Sequence, residues 1–147
     1  MTEDRRVLIT RLLLLLMAVS SAVVGAWAQF APRSFYDDFP GGGRTWVAVD
    51  GPYNEHLVRD VGGLNLGLLL VTVIALVTLA RPVVAAAAGA ALVYGVPHLA
   101  YHATHLEPYG TGDKVANVIA LALAITLPAL VLVLVGLNRQ SPPSGAR

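Results

Sequence analysis

Four long runs of apolar residues, separated by short polar segments, dominate the pattern along the chain. They cover residues 7–30, 55–80, 83–105 and 114–137. A membrane-spanning helix needs about 20 predominantly apolar residues to cross a hydrocarbon core of about 30 Å. Each run reaches that length, and its apolar residues would occupy all faces of a helix. The pattern therefore predicts an all-α integral membrane protein, a bundle of four spanning helices.

The composition favours lipid over water as the solvent of these helices. Hydrophobic side chains make up 56% of the 147 residues, and charged side chains make up only 13%. A soluble domain of this size needs a larger polar shell, so four core helices of a soluble protein are the poorer interpretation. Cysteine is absent, which excludes disulfides and cysteine nucleophiles. No basic run is long enough to indicate nucleic-acid binding.

The distribution of charge predicts the orientation in the membrane. The side that carries both termini holds Arg5, Arg6, Arg11, Arg81, Arg139 and Arg147. Only Glu3 and Asp4 oppose these arginines, whereas acidic residues exceed basic ones on the other side. The positive-inside rule then places both termini in the cytoplasm. We expect a multi-pass protein of the inner (plasma) membrane, with the lipid bilayer as its first partner.

The first apolar run also resembles a secretory signal peptide. Arginines precede it, and Ala26-Trp27-Ala28 resembles a cleavage site. Cleavage would leave three spans, but the apolar run is longer than a usual signal core, which favours a retained first span. We therefore expect one domain over residues 1–137, with an extracytoplasmic loop at 31–54. The tail at 138–147, rich in Ser, Pro and Gly, is predicted to be disordered and cytoplasmic.

The extracytoplasmic loop is rich in acidic and aromatic residues. Its carboxylates, Asp37, Asp38, Asp50 and the adjoining Glu55, could gather cations at the mouth of the bundle, or they could form an ordinary solvated surface. Asn54 precedes the second span and is expected to cap its first turn.

The third span carries the polar pattern that is hardest to attribute to chance. His98, His102 and His105 fall within an arc of about 60° on a helix. Tyr94 and Tyr101 extend the same stripe. This stripe lies toward the outer end of the span.

The second span offers a possible matching face. His56 and Asp60 are spaced i and i+4, in line with Gly63 and Gly67. Glycines four residues apart often mark a close helix–helix contact. Because a short turn joins spans two and three, we expect them to pack antiparallel, with both polar patches at the outer mouth.

The fourth span contains no ionisable residue over 115–137. One narrow stripe along it is formed by Asp113, Asn117, Ala120, Ala124 and Pro128.

Three interpretations of the histidine stripe stay open. In the first, the side chains bind zinc or copper, since imidazole and carboxylate groups ligate both metals. The candidate metal ligands are His56, Asp60, His98, His102 and His105. In the second, the histidines move protons for, or bind, a small amphiphile, with Tyr94 and Tyr101 as cofactor-binding residues. In the third, the cluster only fixes helix packing.

These interpretations predict a membrane protein whose outward-facing His/Asp/Tyr cluster binds a metal ion or a small amphiphile. The alternative is a non-catalytic accessory subunit that packs against a larger membrane complex, or against further copies of itself, through its Ala- and Gly-rich faces. No motif names a reaction, so enzymatic activity stays open.

Three motifs carry a resemblance to known proteins. They are F-Y-D-D-F-P at Phe35–Pro40, P-Y-N-E-H-L-V-R-D-V-G at Pro52–Gly62, and P-H-x-x-Y-H-x-T-H-L at Pro97–Leu106. With them the chain resembles a group of uncharacterised actinobacterial four-span proteins, similar in architecture to DoxX-like small membrane proteins. The resemblance covers most of the chain and implies four spans. It brings no established activity, substrate or site residues, although DoxX-like proteins suggest redox or accessory roles in the cell envelope.

Overall fold

The computed structural model describes residues 2–137 and is built mainly of helices. The helices are α1 (Glu3–Phe30), α2 (Pro32–Asp38), α3 (Glu55–Thr78), α4 (Arg81–Thr104) and α5 (Thr111–Leu137). A hairpin of two short strands, β1 (Pro40–Gly41) and β2 (Arg44–Thr45), lies between α2 and α3. By length and composition, α1, α3, α4 and α5 are each able to cross a membrane. The predicted all-α fold is confirmed, and the protein is a multi-pass membrane protein.

The four spanning helices form two antiparallel pairs. Helix α1 packs mainly against α3, and α4 packs mainly against α5. Contacts of α3 with α4 and of α1 with α5 join the two pairs. Each span begins and ends within about one turn of its predicted boundary. The bundle has a terminal end, with the N-terminus and the turn at Leu79–Ala80, and a loop end, with residues 31–54 and 105–110. The predicted tail at 138–147 lies outside the described residues.

Two glycines allow α1 and α3 to approach closely. A Cβ atom built on Gly62 would lie 2.5 Å from the backbone nitrogen of Gln29. A Cβ atom on Gly25 would lie 3.0 Å from the backbone nitrogen of Leu66. Backbone atoms cannot move aside as a flexible side chain can, so the spacing of the two helices depends on these glycines.

The prediction that Gly63 and Gly67 mark the close contact is wrong. Gly67 has open space where a Cβ would stand, and a Cβ on Gly63 would meet only the Gln29 side chain, at 3.8 Å. Consecutive residues lie 100° apart around a helix. Gly62 therefore faces α1, whereas Gly63 lies on the exposed side of α3.

The hydrophobic core lies in the middle of the bundle and toward its terminal end. Leu14, Val84, Val131 and Pro128 are completely buried. Small residues at the start of α4 bring that helix into the core, since Ala87 and Ala88 are buried beside Ala75 of α3.

The predicted loop at 31–54 contains more regular structure than expected. Pro32 occupies the first turn of α2, where its missing N–H leaves no helical hydrogen bond unmade. Arg33 forms two hydrogen bonds with Asp37 one turn later, of 2.7 and 3.0 Å. Phe35 packs with Ala28 in a second buried cluster at the loop end. The loop is therefore anchored to α1 by an amphipathic helix.

Asn54 caps α3 as predicted. Its side-chain oxygen accepts a hydrogen bond of 3.2 Å from the backbone N–H of Leu57.

Candidate functional site

The aromatic stripe of α4 forms a continuous column of rings at the loop end. Tyr94 stacks on His98 at 5.3 Å between ring centroids, and His98 meets His102 edge-on at 4.7 Å. Tyr101 contacts His102 at 5.4 Å and stacks on His105 at 4.2 Å. The i, i+4 spacing produces three of these contacts, because such residues are neighbours on a helix surface. Tyr101 and His102 are consecutive residues whose rings meet edge-on.

His105 lies just beyond the last residue of α4 and is exposed. Its Nδ1 is 2.8 Å from the carbonyl oxygen of Tyr101, which places the ring proton on that nitrogen. The hydroxyl of Thr104 lies 3.1 Å from the same nitrogen. His105 thus helps to end the helix, and only its Nε2 is available to a ligand.

His98 and His102 are half-buried, and a carboxylate from the loop accompanies them. Asp50 lies close enough for its charge to act on both imidazole rings. The Nδ1 atom of His102 is buried and has no hydrogen-bond partner within residues 2–137. One ring nitrogen of His102 is therefore unsatisfied in a region where polar groups are normally paired.

A short chain of hydrogen bonds fixes the loop above these histidines. The Tyr109 hydroxyl donates to the Trp46 carbonyl oxygen at 2.9 Å. The Trp46 indole N–H donates to Asp113 at 2.9 Å, and Arg44 forms an ion pair with the same carboxylate. The segment that carries Asp50 is thereby tied to the first turn of α5.

Tyr109 keeps its proton at any physiological pH. Burial raises the pKa of Tyr109 to about 12, and the nearby charge of Asp50 adds to this effect. Since the phenol is neutral well above pH 7, its hydrogen bond to Trp46 does not depend on pH in the physiological range.

The structure does not join His56 and Asp60 to the histidines of α4. Their side chains are 89% and 62% exposed, and they pair with each other at 3.3 Å between Nε2 and Oδ2. Within the described part of the chain, neither forms a hydrogen bond to His98, His102 or His105. They lie on the exposed side of α3.

Helix α3 contributes a different residue to this region. Asn65 is buried, and its amide donates to the Val61 carbonyl at 2.9 Å. The same side chain lies near Tyr94 of α4.

The five candidate metal ligands do not converge. Among residues 2–137, no group of three or more His, Asp or Glu side chains is placed to hold a metal ion. The predicted metal site of His56, Asp60, His98, His102 and His105 stays a prediction. Among the described residues, the arrangement most similar to a metal site is the contact of His98 with His102, which lie within electrostatic range of Asp50.

Asn117 of α5 lies at about the same depth as His102, whereas its sequence position predicts only a place on the stripe with Asp113. It is 4% exposed, and its Oδ1 is buried without a hydrogen-bond partner in the described residues. At the contact of α4 with α5, a Cβ on Gly95 would lie 3.5 Å from Ile125 and 3.8 Å from the Ala124 carbonyl. His102 lies seven residues after Gly95 on α4, and Asn117 lies seven residues before Ala124 on α5.

We use the term polar cluster for one group of residues at the loop end. It consists of Asp50, His98, His102, Tyr109 and Asn117. The asparagine in a span whose other residues are almost all apolar was the sequence signal for Asn117, because an amide at membrane depth needs a partner. No sequence pattern indicated Asp50 in particular among the loop carboxylates.

Comparison of the chain with protein-family models, with curated proteins and with solved structures gave no significant match. The resemblance to DoxX-like proteins stays a prediction, and the function is argued from the polar cluster itself.

Proposed function

We propose that the protein binds a small amphiphile in the membrane, with the polar head of the ligand in the polar cluster. The tail of the ligand lies in the surrounding lipid near the loop end, where the outward faces of α4 and α5 are apolar. Val96 of α4 is 51% exposed, and Val118 of α5, next to Asn117, is 36% exposed.

One observation carries this proposal. Two buried polar atoms, His102 Nδ1 and Asn117 Oδ1, have no partner among the described residues, although they belong to helices that pack together. In proteins, the great majority of buried polar groups form hydrogen bonds. Two unpaired polar atoms in an apolar bundle support the binding of a ligand whose own polar atoms would form hydrogen bonds with them.

The amphiphile is favoured over the metal by the arrangement of the side chains. Metal sites in proteins are built from several side chains that point at one position. Here His98 and His102 meet edge-on, whereas His56 and Asp60 lie on another face of another helix. The ligand we propose needs only hydrogen-bonding groups beside an apolar surface.

We also propose that the loop end faces the outside of the inner (plasma) membrane. Four spans place both ends of the chain on one side, and the arginines of the terminal end favour the cytoplasm. The polar cluster then draws its ligand from the outer leaflet.

Topology reporters test this orientation. Fusions at Arg81 and at the C-terminus should report a cytoplasmic position, and fusions at Gly42 and Gly110 should report an external one. The physical reason is the arginine content of the two sides, which sets orientation during insertion. A C-terminus on the outside would contradict both the orientation and the four retained spans.

Photolabelling tests the amphiphile site. The protein is reconstituted in phosphatidylcholine nanodiscs, which avoids competition from detergent. Two probes are added, dodecanol and dodecanoic acid, each with a diazirine next to its head group. At least one probe should label segments of α4 and α5 near His98 and Asn117. His102→Leu should reduce this labelling about tenfold, the effect of losing a buried hydrogen bond of about 1.4 kcal/mol.

The matched control is His56→Leu, the same change at an exposed histidine, which should leave labelling unchanged. Uniform labelling of all lipid-facing helices, equal in both variants, would overturn the proposal. Stoichiometric zinc or copper bound through His98 and His102 would replace it with the metal interpretation. Labelling at no site, together with a tightly bound second membrane protein, would favour the accessory subunit.

A further inference from the structure

We propose that the head group of the ligand is a neutral hydroxyl, bound between Asn117 of α5 and His102 of α4. This inference rests on the proposed function and names the chemical class of the ligand.

The position of the two residues follows from the packing of the helices. Helices α4 and α5 are antiparallel, and Gly95 contacts Ala124 and Ile125 where they cross. Seven residues are almost two full turns of a helix, so a residue seven positions away lies on nearly the same face. His102 is seven residues beyond Gly95, and Asn117 is seven residues before Ala124. They therefore lie at about one depth in the pair formed by α4 and α5.

The loop supports the same arrangement independently. Tyr109 is buried and lies within electrostatic range of Asp50 and Asp113. Asp113 precedes Asn117 by one turn of α5, and Tyr101 contacts the ring of His102. The first turn of α5 and the last turn of α4 are thus both connected to the loop that carries Asp50 and Tyr109.

The two unpaired atoms define the chemistry of the head. The Asn117 Oδ1 atom only accepts hydrogen bonds, so its partner must donate one. A neutral imidazole nitrogen, such as His102 Nδ1, either accepts or donates according to its tautomer. A hydroxyl has one donor and two lone pairs, so it can donate to Asn117 and still accept from His102. An ether or ester head lacks the donor that Asn117 requires.

Charge at the loop end argues against an anionic head. Asp50 acts on both histidines and would repel a phosphate or a carboxylate. The three arginines of the loop end are engaged with other carboxylates. These pairs are Arg33 with Asp37, Arg44 with Asp113, and Arg59 with Glu55. A neutral head avoids the repulsion and needs no arginine.

Titration calorimetry in nanodiscs tests the inference with four probes of known chemistry. The matched pair is para-octylphenol and para-octylanisole, which differ only in that a methyl group replaces the hydroxyl proton. Decyl phosphate and decylamine represent anionic and cationic heads. The phenol should bind about tenfold more tightly than the anisole, because the anisole leaves the Asn117 oxygen unpaired. It should also bind more tightly than the phosphate and the amine.

Two variants connect this preference to the proposed residues. Asn117→Leu keeps the size of the side chain and removes the acceptor, so it should reduce the preference for phenol over anisole to less than about twofold. It should also raise the melting temperature without ligand, since it removes an unpaired buried oxygen. His102→Leu is the second test, in case the first variant alters packing. The control is Thr126→Val, because Thr126 is an exposed polar residue of the same helix whose hydroxyl donates to the Ala122 carbonyl one turn earlier.

The outcomes separate this inference from the proposed function. Equal binding of phenol and anisole, with photolabelling still near Asn117, would overturn the hydroxyl inference and leave the amphiphile site intact. Tightest binding of decylamine, abolished by Asp50→Asn, would replace the hydroxyl with an ammonium head. Failure of all four probes together with diffuse photolabelling would overturn both proposals.

Discussion

Replacing Gly62 with leucine should separate α1 from α3 and destabilise the protein strongly. A single Cβ at this position would already lie 2.5 Å from the Gln29 nitrogen and 2.8 Å from its Cα. Both are backbone atoms, so the helices themselves must move apart to admit a side chain. Overpacking in a well-packed core costs about 1–3 kcal/mol, and leucine adds three further carbons to this clash. We expect a loss of at least about 3 kcal/mol in the free energy of unfolding.

The neighbouring glycine provides the control for this prediction. Gly63→Ala brings a Cβ to 3.8 Å from the Gln29 side chain, an ordinary contact. Alanine is favoured over glycine in a helix by about 0.5–1 kcal/mol, so this variant should be as stable as the parent or more so. Gly62→Ala should be clearly less stable than Gly63→Ala when both are unfolded in detergent with increasing denaturant. Equal midpoints for the two alanine variants would show that α1 and α3 do not meet at Gly62.

The spans could be predicted from the sequence, whereas the helix contacts could not. Length and apolar composition are enough to identify a helix that crosses lipid, because the bilayer sets both requirements. Consecutive residues of α3 point 100° apart around the helix axis, so the side of α3 that meets α1 depends on which residues face it. The sequence has three glycines that could allow a close contact, Gly62, Gly63 and Gly67. The close approach of the Gln29 backbone of α1 identifies Gly62 as the glycine at the contact, and that approach is visible only in the structure.

Only part of the polar cluster could be predicted from the sequence. His98 and His102 share a face of one helix, which follows from their spacing alone. Asp50 comes within electrostatic range of them only because contacts between residues distant in sequence hold the loop in place. Tyr109 bonds the Trp46 carbonyl, and Tyr36 bonds the Gly51 carbonyl at 2.6 Å on either side of Asp50. No local pattern distinguishes Asp50 from the other loop carboxylates.

Leu14→Ala should also produce a large loss of stability, although the protein lies in lipid. Leu14 is 0% exposed and packs in the cluster that contains Val84 of α4 and Val131 of α5. In water, Leu→Ala in a core costs about 2–5 kcal/mol, partly from transfer of the side chain and partly from the cavity that remains. Lipid tails are as apolar as leucine, so the transfer part is small here. The cavity part persists, and we expect a loss of about 2 kcal/mol.

Leu16→Ala gives the matched comparison on the same helix. Leu16 is 54% exposed, so lipid or detergent chains can fill the space that its side chain vacates. The variant should therefore lose less than about 0.5 kcal/mol, the usual range for surface substitutions. The measurement is the unfolding free energy of both variants and the parent under identical detergent conditions. If the centre of the bundle is packed, Leu14→Ala should lose clearly more unfolding free energy than Leu16→Ala. Equal losses would mean that Leu14 also faces lipid, which would contradict its place in the buried cluster with Val84 and Val131.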